Sequence, residues 1–192
     1  MEQDPTPGLP GDHAALRPSE TVLVIVDFIN PMQFPGGQAL LAGAIDAARA
    51  TARLKRRLSR EGATVIYAND NYGIWRSDFK ELLGRCKALP GLRGKIASIL
   101  EPQPCDLTIL KPLHSAFHGT PLEHLLRQME TRNLVIAGLS ADICVHLTAT
   151  DAYMRGFKVW VPSNCTAAES PARKEAALYQ LAHSFSCVTR KA

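Results

Sequence analysis

Residues 133–145 read NLVIAGLSADICV. An unbroken apolar run, Asn133 to Leu139, passes through Gly138 and Ser140 into a stretch of helical character. Continuous hydrophobicity without alternation marks a strand covered on both faces, as in a parallel sheet. A buried strand that turns sharply into a helix is a β–α unit, and the chain repeats that unit on both sides.

Upstream, Thr21 to Asp27 (TVLVIVD) is a first covered strand, Ala63 to Ala68 (ATVIYA) a second and Asp106 to Leu110 a third. Asn133 to Leu139 is the fourth, Phe157 to Pro162 the fifth and Ser186 to Thr189 the sixth. Helices are predicted between them, over 38–60, 121–130, 141–155 and 171–183, with short ones near 76–88 and 92–100. Leu41, Ala44, Ile45, Ala48 and Ala52 keep helical spacing, and Gly62 follows as a stop. Thr120 and Ser170 stand as caps before Pro121 and Pro171, which suit first helical positions. Six strands alternating with helices predict a three-layer α/β/α sandwich around a parallel six-stranded sheet.

At 192 residues, 46% apolar and 21% charged, the chain fits one soluble domain. We assign it to residues 19–192, behind a flexible proline-rich arm at 1–18. The net charge is +4. Arg53, Lys55, Arg56, Arg57 and Arg60 fall at the end of the first helix, where cations suit the macrodipole and a solvated face. No aromatic residues alternate with them, so no nucleic-acid partner is expected. No run of about 18 apolar residues suggests a membrane span, and the N-terminus has no signal-peptide pattern. The five cysteines are odd in number and lack metal-site spacing, which points to a reducing compartment, the cytoplasm. Pro35-Gly36-Gly37 lacks the spacing of a phosphate loop.

In an open parallel sheet, chemistry collects beyond the carboxyl ends of the strands. Asp27 ends the first strand, Lys111 follows the third, and Cys144 lies just past the fourth. Each alone has a plain structural reading: a turn cap, a solvated strand end, a buried small side chain. Together they put an acid, a base and a thiol at one sheet edge. A charge ending an apolar strand is costly to bury unless paired, and Asp27 and Lys111 can pair. A helix N-terminus and a nearby ammonium favour thiolate at Cys144, and free N–H groups there can receive an oxyanion.

These motifs, VLVIVDFIN, KPLHSAFHGTPL and GLSADICVHLTATDAY, resemble those of the isochorismatase-like cysteine hydrolases over about Glu20 to Thr189. The resemblance implies strand order 3-2-1-4-5-6 and a catalytic triad of Asp27, Lys111 and Cys144. It implies that Asp27 takes the thiol proton, Lys111 holds Asp27, and Cys144 forms a thioester. It also implies a cis peptide between Leu139 and Ser140, which directs the Ser140 N–H with that of Cys144 into an oxyanion hole. In that order the third strand is two strands from the first, so Lys111 must span roughly 10 Å.

The family's nicotinamidases carry an Asp-x-His metal pattern after the second strand, and here the segment is ANDNYGIW. No histidine occurs from residue 14 to 113, so we expect no catalytic metal and no cofactor. Asn30, Phe34, Asn69, Asn71, Tyr72 and Trp75 lie on the loops after the first two strands. Of these Asn30, Phe34, Asn69 and Trp75, with His114, are the expected substrate contacts. His124 and His183 read as surface or packing residues; His118, like His114, could reach the pocket mouth, and His146, two residues past Cys144, could do so or pack beneath it. The expected activity is metal-free hydrolysis of a C–N bond in a small amide, ureido or carbamoyl compound. The alternatives are an isochorismatase-type vinyl-ether hydrolase and a non-catalytic binding protein on the same fold. The resemblance further implies a homodimer or homotetramer.

Overall fold

Val22 to Val26 are completely buried, which is what a strand without a polar face requires. A computed structural model describes residues 16–76 and 78–192 and puts these residues in the centre of the sheet. Residues 1–15 of the expected arm lie outside the described residues.

The strands are β1 (Thr21–Val26), β2 (Thr64–Asp70), β3 (Leu107–Lys111), β4 (Asn133–Leu139), β5 (Lys158–Trp160) and β6 (Thr166–Ala167). All pair in parallel in the order β3-β2-β1-β4-β5, with β6 also against β4. The helices are α1 (Gly37–Arg60), α2 (Phe79–Lys87), α3 (Leu92–Ile99), α4 (Leu122–Gln128), α5 (Cys144–Met154) and α6 (Pro171–Ser184).

Strand alternation sorts the core into two layers. Leu23 and Ile25 face α1, α2 and α3, among Leu40, Ala44, Ala48, Leu82 and Ile96. Val22, Val24 and Val26 face the other helices, among Leu122, Leu126, Val145, Ala149 and Leu181. Each such side chain contributes about 1.5–3 kcal/mol on burial. The three-layer α/β/α sandwich therefore follows from one covered strand pattern repeated.

The sixth strand is not where the sequence suggested. Ser186–Thr189 forms only a bridge, Val188 to Trp160. Pro162 has no N–H to continue β5, and a 3₁₀ turn at Ser163–Cys165 carries the chain back to β4. There Thr166 pairs with Gly138 and its hydroxyl donates to the Gly138 carbonyl at 2.7 Å. Gly138 is needed at that crossing: its φ is +151°, and a Cβ would lie 2.3 Å from the Val26 carbonyl oxygen.

Lys55 is a second departure. It is not part of a solvated helix end but is 9% exposed, with its ammonium paired to Asp106 and donating to the Tyr67 hydroxyl at 3.1 Å. Among the described residues no helix is long and apolar enough to cross a membrane.

Candidate active site

Beyond β1 the backbone of Asp27 takes a left-handed conformation, φ 51°, unusual for a residue with a side chain. Its N–H bonds the Ala68 carbonyl at 3.0 Å, the last rung of the ladder to β2, so the residue stays tied to the end of that strand. One carboxylate oxygen accepts the Asp70 N–H at 2.8 Å, and the other meets Lys111 Nζ at 2.7 Å. The wide gap between the first and third strands closes in this way: the Asp27 carboxylate already lies over β2, beside Asp70, which is in register with Lys111.

Lys111 is completely buried. Its ammonium also donates to the Leu113 carbonyl at 3.3 Å and stands 3.8 Å from Cys144 Sγ. Cys144 is the first residue of α5, three residues later than the predicted start. The intervening turn is held by the Ile143 and Val145 N–H groups on the Ser140 carbonyl, and by the Ala141 N–H on the Ala167 carbonyl. The Leu139–Ser140 peptide is cis. The N–H groups of Ser140 and Cys144 have no protein acceptor among the described residues.

His114 approaches the sulfur from the open side, with Nδ1 3.6 Å from Sγ. Its loop is pinned to α5: the Ser115 hydroxyl bonds Asp151 at 2.5 Å, and the Ala116 N–H bonds Thr148 Oγ1 at 3.0 Å. Lys111 and Cys144 are thus carried by two segments tied to each other.

Burial raises the Asp27 pKa above its ordinary value, and Lys111 opposes that rise. Burial alone would lower Lys111, but the Asp27 and Cys144 charges beside it outweigh this and raise it. Burial, and then the Asp27 carboxylate, push the Cys144 thiol upward against the pull of Lys111. This corrects the expectation of a favoured thiolate: desolvation and a neighbouring carboxylate override the helix end and the ammonium. The upward shift keeps the proton on sulfur, beside a carboxylate that an ammonium holds.

A cavity of about 400 Å³ opens over the sulfur. Asn30, Phe34, His114 and Ser140 line it together with Asp27 and Cys144. Asn69 and Trp75 do not. Asn69 is completely buried and donates to the Ile29 carbonyl at 2.8 Å, so it braces the loop after β1. Trp75 is 78% exposed, outside the cavity. His146 packs edge-on against Phe185, away from the sulfur.

The sequence reading missed Asp70 and Glu169 on the cavity wall. Asp70 lies in the segment ANDNYGIW, where the sequence offers it only as the acid of an incomplete Asp-x-His pattern. Glu169 follows β6, a strand too short to read from sequence. Among the described residues no group of three or more His, Cys, Asp or Glu is arranged to hold a metal ion.

The model of the isochorismatase domain matches residues 21–192. An uncharacterized isochorismatase family protein, YaaI of Bacillus subtilis, is 35% identical over 161 residues, 83% of this chain and 87% of that one. The ureidoacrylate amidohydrolase RutB of Agrobacterium fabrum is 32% identical, over 72% of each chain. The crystal structure of nicotinamidase PncA from Bacillus subtilis superposes with TM-score 0.70 and 26% identity, covering 90% of this chain and 99% of that one.

Proposed function

The chain belongs to the isochorismatase family, and from that premise we propose that it is a cysteine amidohydrolase cleaving a C–N bond in a small amide, ureido or carbamoyl compound. The observation that carries this reading is the buried Lys111 ammonium, 2.7 Å from the Asp27 carboxylate and 3.8 Å from Cys144 Sγ. Relatives named as a ureidoacrylate amidohydrolase and a nicotinamidase support the reaction class.

In the proposed cycle Asp27 accepts the Cys144 proton as sulfur attacks the substrate carbonyl carbon. The N–H groups of Ser140 and Cys144 receive the oxygen that turns negative. Collapse of this adduct breaks the C–N bond, and the leaving nitrogen takes the proton from Asp27. Water entering on the His114 side then gives a proton to Asp27 and its oxygen to the thioester carbon. Expulsion of sulfur returns that proton to Cys144 and releases the acid. Lys111 keeps Asp27 oriented throughout and charged before each proton transfer, and a general base so placed contributes typically about 10²–10⁴-fold. Asn30, Phe34 and His114 are the proposed substrate contacts.

The test is ammonia release over a panel of small amides and ureido compounds, wild type against Cys144→Ala. Loss of turnover with retained fold is expected, and a thioester should be trapped by mass spectrometry. Undiminished turnover in the variant would reject the mechanism.

We also read the chain as a homodimer or homotetramer. Leu113, Leu147 and Met154, 52%, 42% and 66% exposed, crowd a shallow hollow that includes His114. Sedimentation at the mass of one chain would contradict this. A cytoplasmic location fits five cysteines that are all unpaired, and cell fractionation checks it.

A further inference from the structure

The cavity over Cys144 has an unbalanced charge. Three carboxylates, Asp27, Asp70 and Glu169, face it, and among the described residues no lysine or arginine does. The nearest cation, Lys111, is completely buried and committed to Asp27. Among the described residues the Asp70 carboxylate accepts only the Tyr72 N–H, at 2.6 Å.

Glu169 is held in place at the mouth. It follows β6, and its carboxylate bonds Arg173 Nη1. Arg173 in turn gives its Nε to Asp142 at 2.6 Å, so one guanidinium serves two carboxylates. The Glu169 carboxylate also rests against Gly36, where a Cβ would be 2.3 Å from Oε1. Glycine at 36 makes room for the acid to lie over the entrance. Asp27, Asp70 and Lys111 form one group with an excess negative charge, and Glu169, Asp142 and Arg173 form another. A narrow cleft with low-dielectric walls concentrates such a field onto whatever enters.

We infer that the substrate is neutral or cationic, an amide, urea or carbamoyl compound without a carboxylate, and that Glu169 and Asp70 enforce this by repelling anions and accepting substrate N–H groups. This rests on the cysteine amidohydrolase reading and adds to it the charge of the compound. It separates the chain from the relative named for ureidoacrylate, which is an acid. A carboxylate entering here would meet like charges with no cation to pair with, and such juxtaposition is a means of rejection as much as attraction is of choice.

The experiment needs no knowledge of the substrate. Iodoacetamide and iodoacetate are similar in size and alkylate thiols by the same displacement of iodide, but only the second is an anion. Their rates at Cys144 are measured by peptide mass spectrometry at mildly alkaline pH. Each is divided by the rate at Cys105, which is exposed. The preference for the neutral reagent is expected to be at least about tenfold greater at Cys144 than at Cys105. Glu169→Gln and Asp70→Asn should each shrink that excess several-fold.

An equal preference at the two cysteines overturns the inference. So does an excess that neither variant changes, or a Cys144 that neither reagent reaches. Failure of the underlying reading is recognised separately: turnover would survive Cys144→Ala, whatever the alkylation ratio.

Discussion

Asp27 carries two opposed demands. In the proposed cycle it must be charged to hold Lys111 and basic enough to take a proton from sulfur. Burial makes it the more basic carboxylate, and the ammonium keeps it from being neutral. Hydrolysis requires the charged form, so activity falls as pH drops through the Asp27 pKa. The acid limb of kcat/KM is therefore expected above the ordinary 3.8, and a pH–rate profile checks it. Lys111→Met leaves this carboxylate buried without its cation, which should cost about 3–5 kcal/mol in urea denaturation. An unchanged midpoint would mean that the pair does not hold as described. At this scale the grouping of Asp27, Lys111 and Cys144 was legible because charge at the end of an apolar strand has few uses, while the roles proposed for them came from the family resemblance. The cavity contacts were less so. β2 runs two residues past its expected end, to Asp70, and successive side chains of a strand point to opposite faces. Asn69 is therefore turned under the loop and Asp70 toward the cavity, a sorting that loop composition does not reveal.

Among the elements, α1 is the informative case. Ala48, Thr51, Ala52 and Lys55 follow the spacing of its buried face, a continuation of the apolar period that the reading of Lys55 as part of a solvated cluster did not use. The periodicity was the better guide because Asp106 waits in front of β3 to pair with it. Removing one partner of a buried pair costs more than removing both. Asp106→Ala should destabilise the protein by about 3–5 kcal/mol, whereas Lys55→Met combined with Asp106→Leu should recover most of that loss. Thermal or urea unfolding of the three proteins gives the comparison, and equal losses would refute it. β6 escaped the sequence reading for another reason. A two-residue strand has no period, and it exists only because Pro162 stops β5 and Gly138 lets the next segment close on β4.

For the whole molecule, the order of the central strands was inferred from family likeness, and the three layers from the hydrophobic pattern. The sheet separates two cores that share few side chains. Leu54→Ala on the α1 side and Leu126→Ala on the α4 side should each cost about 2–5 kcal/mol. The double variant should match their sum within roughly 0.5 kcal/mol. A marked departure from additivity would show strain passing through the sheet. The site itself depends on this architecture. β1, β3 and the start of α5 bring Asp27, Lys111 and Cys144 to one edge, and the bonds of Ser115 and Ala116 to α5 keep the second and third together.

The sulfur of Cys144 is walled by Lys111 and Asp27 on one flank and open toward His114 on the other. In the proposed cycle the acyl oxygen lies on the Ser140 and Cys144 N–H groups, which fixes the face of a planar acyl group that meets the sulfur. Where the carbon beside that acyl group bears four different substituents, mirror-image molecules fit unequally. A racemic mixture would be consumed unevenly, leaving the slower hand behind in excess on a chiral column.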